Sequence, residues 1–406
     1  MKKQTEFKNT EIGRIPKDWD VVRLDELGEL QYGYTASAID KDTGKKLLRI
    51  TDIGDYGQVV WKNVPHCEIS QSNYKKYKLS IGDILFARIG ATTGKSTYIN
   101  KEINGVFASY LIRFKPLVPN LSTEFLYYCT QSNLYWNQVH RKKEGQLKKG
   151  LNAKILAGLI FPLPPLPEQQ KIAEILSTVD EAIEKVDDSI EKTKRLKNGL
   201  MCELLTKGIG HKEFKDTEIG RIPKEWEVSS LSKIIKLASG KTRPSEIADM
   251  PSTTMPHPVY GGNGILGYTN TFIVDKETIV IGRVGEYCGS IHKTLGLAWI
   301  TDNALYAVEI QRGSVELDYL IYSLAFINLN KFKKKSGQPL MTQKIIYSIS
   351  IPLPPLPEQQ KIAEILSTVD KRLELLRSKK EKLERIKKGL MNELLTGQRR
   401  VKILES

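Results

Sequence analysis

Two stretches of this chain place an apolar residue at alternating steps of four and three. The first runs Ile172, Leu176, Val179, Ile183, Val186, Ile190, then Leu200 and Leu204. The second runs Ile362, Leu366, Val369, Leu373, Leu376, Leu383, Leu390 and Leu394. A 3.5-residue period kept this long predicts two long helices, each with a narrow coiled-coil seam. The seams are interrupted only by Thr193 and Lys197 in the first and by Lys380 and Lys387 in the second. The prolines of each preceding LPPLP run hold the chain extended, so the helices are expected to begin near Pro167 and Pro357. Glu168 and Glu358 then fall at the positive end of each helix. About 40 residues at 1.5 Å each make a rod of roughly 60 Å. Each seam has the other as its nearest partner, and packing of each on its own domain is the alternative. Pairing about an approximate two-fold axis makes the helices antiparallel, with the polar seam positions setting register.

The helices belong to a longer repeat. Pro162–Asp180 (PLPPLPEQQKIAEILSTVD) recurs letter for letter at Pro352–Asp370, and Thr10–Lys17 (TEIGRIPK) recurs at Thr217–Lys224. Around the second pair lies FKxTEIGRIPKxWxV, at Phe7–Val21 and Phe214–Val228, and each helix ends in GLM and ELLT, at Gly199–Thr206 and Gly389–Thr396. A unit of about two hundred residues is duplicated, too long and too few-copied for a solenoid. A division follows: 1–161 and 211–351 as variable domains, 162–210 and 352–406 as helical spacers, the last with a tail. The variable domains read as mixed α/β. Each is expected to have a short helix after its Trp (Leu24–Leu30; Leu231–Leu237), strands (Leu47–Thr51, Asp83–Arg88, Thr278–Arg283) and an aromatic-rich helix (Glu124–Gln138; Asp318–Phe332). Both place RxGxxxG after an apolar strand, at Arg88, Gly90 and Gly94 and at Arg283, Gly285 and Gly289. The expected fold is therefore two diverged α/β (mixed α+β) domains joined by two antiparallel coiled-coil helices with pseudo-two-fold symmetry.

Charge narrows the partners. Of 406 residues, 62 are Lys or Arg and 47 are Asp or Glu, a formal net charge of +15. No apolar run is long enough to span a membrane, and the N-terminus lacks the apolar stretch of a signal peptide. A basic chain of this kind suits nucleic acid, because neutralising phosphates releases counterions, although a solvated lysine-rich surface has the same composition. Cys67, Cys129, Cys202 and Cys288 are scattered, with no CxxC pair and no His at ligand spacing, so no structural metal and a reducing cytoplasm are expected.

Several segments carry candidate contacts. Gly90–Ser96 (GATTGKS) mimics a phosphate-binding loop, but that motif needs four residues between its glycines and a helix after it, whereas STYIN reads as a strand. The expectation is a glycine turn between strands, with Arg88, Thr92, Thr93 and Lys95 near a polyanion. A basic loop follows each aromatic helix: Lys142, Lys143, Gln146, Lys148 and Lys149 in the first copy, Lys333, Lys334, Lys335 and Gln338 in the second. Lysines suit phosphate contacts and glutamine can read adenine edges; the plain alternative is a solvated turn. His257–Gly264 (HPVYGGNG), with Tyr260 and Asn263, is either a ligand-facing loop or an ordinary hairpin. Its counterpart Lys45–Asp55, with Lys45, Lys46, Arg49, Thr51 and Asp52, differs in kind, so the two domains would read different targets. Lys241, Arg243, Arg283 and Tyr287 complete the candidates. No HExxH, GxSxG or metal-spaced His cluster occurs, and neither a nuclease centre nor a methyl-donor fingerprint is supported. No catalytic residue and no metal ligand are expected, so the chain does not read as an enzyme.

The order of variable domain, LPPLPEQQKIA helix, GLM…ELLT, TEIGRIPKxW, variable domain and the same helix again resembles the specificity (S) subunit of type I restriction-modification systems, over nearly the whole chain. The resemblance implies two target recognition domains, each reading half of a bipartite site in double-stranded DNA. It implies helices that set the spacer and dock two methyltransferase (M) subunits, with restriction/translocase (R) subunits completing the complex in a prokaryotic cytoplasm. S-adenosylmethionine, ATP and Mg would then belong to those partners and no cofactor to this chain. The recognition subunit of a related system, whose partner fuses methylation and cleavage, has the same sequence features. The competing classes are an NTP-dependent or nuclease enzyme and a coiled-coil interaction protein with no DNA role. Two further expectations follow. Residues added after Thr206 should lengthen the DNA spacer without changing either half-site. The near-cyclic order of the repeats should bring Thr10 and Thr396 close together.

Overall fold

The computed structural model describes residues 6–143, 150–332 and 339–403, with only the backbone of Lys143. The chain folds as two compact units, one of Met1–Val186 with Lys379–Ser406 and one of Asp187–Ser378. Helix α1 (Leu166–Thr206, 41 residues) and helix α2 (Leu356–Leu394, 39 residues) each contribute their first half to one unit and their second half to the other. No helix among the described residues is long and apolar enough to cross a membrane.

The first unit opens with a hairpin, Phe7–Thr10 against Gly13–Pro16. The Thr10 hydroxyl donates to the Gly13 carbonyl at 2.7 Å, and Gly13 turns the chain at φ 107°, a conformation that costs glycine little. Asp20–Arg23 then pairs antiparallel with Ile160–Leu163, so the two ends of the repeat frame are joined by backbone hydrogen bonds. The helix expected over Leu24–Leu30 is a single turn, Leu24–Leu27, running straight into strand β1 (Gly28–Tyr32). Gly28 sits so close to the neighbouring strand that an added Cβ would lie 2.2 Å from the Lys115 carbonyl oxygen. With β2 (Ile84–Ala87), β3 (Ser96–Tyr98) and β4 (Leu111–Pro116), β1 forms a sheet of order β1–β4–β2–β3, all antiparallel.

Two other expectations are corrected in this unit. The strand expected at Leu47–Thr51 ends at Leu48, where Lys46–Leu48 pairs parallel with Gly105–Phe107. Ile50–Asp52 is instead a 3₁₀ turn, because the Asp52 carboxylate accepts from the Arg49 N–H at 2.8 Å. The single helix Glu124–Gln138 is two, Thr123–Gln131 and Asn133–Lys143. Ser132 breaks it, its hydroxyl donating to the Cys129 carbonyl at 2.6 Å. Trp19, Phe86, Phe114, Phe125, Tyr135 and Phe161 fill the main core together with Ile172 and Leu176 of α1 and Met391 and Leu394 of α2.

The second unit repeats this plan. Phe214–Thr217 pairs with Gly220–Pro223, and Glu227–Ser230 with Ser350–Leu353. One helical turn, Leu231–Ile234, replaces the expected Leu231–Leu237 and leads into β5 (Ile235–Ser239). With β6 (Ile279–Gly282), β7 (Ile291–Lys293) and β8 (Ala304–Ile310) it gives the order β5–β8–β6–β7. His257–Gly261 is one arm of an antiparallel hairpin with Gly264–Thr269, and pairs parallel with Trp299–Ile300 on its other side. The aromatic helix stops at Ile327, because Asn328 turns left-handed at φ 58°, and a 3₁₀ turn follows at Leu329–Phe332.

In each unit the two helix halves run antiparallel. Lys387 of α2 meets Asp180 of α1 in the first unit, while Met391 and Leu394 pack nearer Ile172 and Leu176. Lys197 of α1 meets Asp370 of α2 in the second, where Leu200 and Leu204 pack with Ile362 and Leu366. None of the apolar seam positions read from the sequence is exposed.

Candidate nucleic-acid interface and its helical frame

The repeated letters build the same two locks in both units. The first ties the Trp of each IPKxW to the Glu of the following LPEQQ. Trp19 Nε1 donates to Glu168 Oε2 at 3.0 Å, and Trp226 Nε1 donates to Glu358 Oε2 at 2.9 Å. The sequence gives these carboxylates only a helix-dipole role; the fold makes them hydrogen-bond acceptors, Glu168 buried and Glu358 partly buried. What covers each one differs. In the first unit Arg400, from the C-terminal tail, binds Glu168 with two hydrogen bonds (2.7 and 2.8 Å) and Asp18 with two more (3.0 and 2.7 Å). The Arg400 guanidinium holds the Asp18 carboxyl below the ordinary range, and Glu168 pushes the guanidinium further toward its charged form. In the second unit His211 Nε2 reaches both Glu358 oxygens, at 2.9 and 3.0 Å, and the Ile209 N–H adds a third contact at 2.9 Å.

The second lock welds each globular domain to the helices. Asp180 and Asp370 close the identical segment. Asp180 accepts from the Tyr128 hydroxyl at 2.9 Å and pairs with Lys387 at 2.6 Å. Asp370 accepts from Tyr322 at 2.8 Å and pairs with Lys197 at 2.6 Å. Each lysine also lies over its tyrosine ring, 5.6 Å and 5.5 Å from the centroids. Burial, and then the adjacent carboxylate, push both phenols well above their ordinary pKa. Lys197 and Lys387 interrupt the seams in the sequence, and here each forms an interhelical ion pair. Tyr128, Tyr322, Asp18, Arg400 and His211 escaped the sequence reading; the one hint was that both Asp residues end a run of identical letters.

The tail also bears on the expected closeness of the chain ends. Gly397, at φ 67°, lies against Pro16 and Trp19, and an added Cβ would be 2.3 Å from Pro16 Cγ. The segment after α2 thus fills, on the first unit, the place that the segment after α1 fills on the second.

The candidate DNA-contacting residues fall into distinct settings. Arg88 and Arg283 leave the ends of β2 and β6 at glycine turns, with Gly90, Gly94, Gly285 and Gly289 at φ 77°, 99°, 76° and 86°. Strand β3 follows the first turn, so no helix N-terminus faces it. Lys95 is paired with Asp55 at 2.6 Å, and the Thr92 hydroxyl is buried without a partner. Thr93 is turned inward, its hydroxyl donating to the Gly90 carbonyl, which removes it from the surface expected of it. Tyr260 is likewise buried and donates to the Lys293 carbonyl, while Asn263, at the hairpin tip, is exposed.

Around Lys45 the contacts are local. Lys45 donates to Asn104 and lies 3.9 Å over the Tyr74 ring, and Lys46 donates to the Val64 carbonyl. Arg49 is paired with Asp52, and Thr51 is exposed. Lys142 donates to the Gly158 carbonyl at 2.7 Å. Lys241, Arg243 and Tyr287 are exposed. Gln146, Lys148, Lys149, Lys333, Lys334, Lys335, Gln338 and the side chain of Lys143 lie outside the described residues. No group of three or more His, Cys, Asp or Glu among the described residues is arranged to hold a metal ion.

Known proteins share this plan. The family model described as the type I restriction modification DNA specificity domain matches residues 16–192 and again 223–385. The MjaX type I restriction enzyme specificity subunit of Methanocaldococcus jannaschii is 34% identical, over 98% of each chain. The MjaVIII specificity subunit of the same organism is 28% identical, over 99% of this chain and 98% of its own. The crystal structure of a type I restriction-modification S subunit from M. genitalium superposes with a TM-score of 0.64 at 18% identity, covering 93% of this chain and 96% of that one. A chain from a study of complex assembly and conformational transition in a type I system superposes at 0.55 and 17% identity, over 95% and 99%. At these identities the two structures establish the shared fold. Two matched regions spanning most of the chain, and a relative one-third identical from end to end, make this chain a member of the type I restriction-modification DNA specificity family.

Proposed function

We propose that this chain is the DNA sequence-specificity subunit of a type I restriction-modification complex, reading one half of a bipartite site with each unit. The observation that carries the reading is the contrast inside the repeat. The Trp–Glu and Tyr–Asp–Lys locks recur bond for bond in both units. Loops lying between those locks in sequence do not: a 3₁₀ turn at Ile50–Asp52 stands in one unit and the His257–Thr269 hairpin in the other. A shared frame suits a shared partner, and unlike loops suit unlike half-sites.

In this reading the helices dock two methyltransferase subunits and their length sets the DNA spacer, and restriction/translocase subunits join the complex. The chain itself is not catalytic: S-adenosylmethionine, ATP and Mg are bound by the partners, in the prokaryotic cytoplasm where the DNA lies. The test is to express the chain with its methyltransferase and map methylated adenines across the host DNA. A two-part motif with a fixed gap, lost when this chain is omitted, is expected. A continuous motif, or methylation independent of this chain, would remove the reading.

A further inference from the structure

One arginine in each unit is held in a way its neighbours are not. The Arg88 N–H donates to the Tyr110 carbonyl at 3.0 Å, and its own carbonyl accepts from the Leu151 N–H at 2.8 Å. The Arg283 N–H donates to the Asn303 carbonyl at 2.9 Å, and its carbonyl accepts from the Met341 N–H at 2.8 Å. The glycine turn that follows closes identically: Gly94 N–H to Ala87 O and Gly289 N–H to Gly282 O, each 2.8 Å. Leu151 and Met341 follow the two lysine-rich segments in the sequence, Leu151 after Gly150 and Met341 after Leu340.

The side chains complete the picture. No ion pair among the described residues involves either guanidinium. Arg88 lies 4.9 Å over the Tyr32 ring, makes a long 3.5 Å contact to the Ser109 carbonyl, and keeps a buried Nε without a partner. The Tyr32 ring is itself pinned, its hydroxyl accepting from the Ala153 N–H at 3.0 Å. Among the described residues, the Arg283 side chain reaches only the Ser239 hydroxyl, at 3.4 Å. Tyr32 and Ser239 are the last residues of β1 and β5, the same place in the two sheets. By contrast Arg49 and Lys95 are neutralised by Asp52 and Asp55. A guanidinium fixed at its root and left without a counter-anion is a ready donor for a phosphate, which it can bind through two parallel N–H bonds.

We propose that Arg88 and Arg283 are equivalent phosphate anchors, each gripping one phosphodiester of the DNA backbone in its half-site and reading no base. The inference rests on the DNA-specificity reading above. Two domains that read different sequences share only the backbone as a target, so the element they hold alike is assigned to the backbone. Base discrimination then falls to positions that differ, beginning with Tyr32 against Ser239.

The test uses the full-length chain in complex with its methyltransferase and a mixed-sequence DNA duplex as probe. Each lost phosphate contact should lower the slope of log K against log salt by about 0.9, so Arg88→Ala with Arg283→Ala should lower it by about 1.8. The methylated sequence in cells should stay the same. Arg88→Lys and Arg283→Lys, which keep the charge, should keep the slope. If the alanine variants do not fold, Arg88→Gln and Arg283→Gln, which keep the aliphatic stem and remove the charge, carry the same expectation. An unchanged slope overturns the proposal, and so does a changed base in either half-site, which would make the arginine a base reader. A wild-type complex with no salt-dependent duplex binding would instead sink the functional reading beneath it.

Discussion

Replacing Arg400 with alanine should loosen the first unit and leave the second untouched. Arg400 supplies four hydrogen bonds, two to Glu168 and two to Asp18, and the Glu168 side chain is only 1% exposed. Truncation leaves that carboxylate buried with the Trp19 N–H as its remaining side-chain donor. Stranding one member of a buried ion pair costs about 3–5 kcal/mol. The Arg400 side chain is 30% exposed, so water can enter the gap, and the expected cost falls at the low end, about 3 kcal/mol. At about 1.4 kcal/mol per tenfold, amides protected by opening of this unit should exchange roughly a hundredfold faster. Hydrogen exchange read by mass spectrometry on peptides covering Phe7–Arg23 measures this, with peptides covering Phe214–Ser230 as the internal reference. Arg399→Ala is the control: its contact to Glu393 is a 3.4 Å surface pair, worth about 0–1 kcal/mol. If Arg400→Ala leaves Phe7–Arg23 as protected as before, or weakens both peptides equally, the tail is not the clamp described here.

Three other outcomes are expected. The Lys387–Asp180 pair should show a coupling energy of roughly 1–2 kcal/mol in a double-mutant cycle of Lys387→Met and Asp180→Asn, since Lys387 is 12% exposed and Asp180 is 36%; additive variants would mean that packing alone sets the register. Gly94→Ala should cost more than about 2 kcal/mol, because residue 94 sits at φ 99° and a Cβ there would lie 2.8 Å from Trp136; thermal unfolding checks it, and an unshifted midpoint contradicts the turn geometry. The Asp18 carboxyl has a depressed folded-state pKa, so its contribution is fully present above the ordinary value of about 3.9 and is lost as pH falls below it; the contribution is small because Asp18 is 54% exposed, and acid unfolding of Arg400→Gln should show a shallower decline than wild type.

Much of the molecule is legible in its amino-acid sequence. The heptad seams placed both long helices within a residue of their starts, because prolines and a 3.5-residue period are local signals. Duplication of the frame implied two like domains, and RxGxxxG correctly marked a strand followed by a glycine turn. Reading failed where a single residue ended an element. Ser132 and Asn328 each cut an aromatic helix through a local backbone choice, and Gly28 converted a helix into a strand through its fit against Lys115. Such choices are decided by the neighbouring chain, which periodicity does not see. Thr93 and Tyr260 looked like ligand contacts by type, yet their hydroxyls satisfy carbonyls inside the fold.

The sequence by itself determined that one design is used twice, that two long helices carry it, and that the differences lie in the domains between. Those are properties of spacing and identity, and they survive without a third dimension. Tertiary structure decided what the identical letters do. It brought Trp19 to Glu168 and Trp226 to Glu358, joined Lys387 to Asp180 and Lys197 to Asp370, and folded the tail with Arg400 back onto Asp18. Each of these contacts spans well over a hundred residues of chain. It also separated the cations already neutralised, Arg49 and Lys95, from Arg88 and Arg283, which have no ion-pair partner among the described residues. Charge is written in the sequence, but whether a charge is free to meet a phosphate depends on which carboxylate the fold sets beside it.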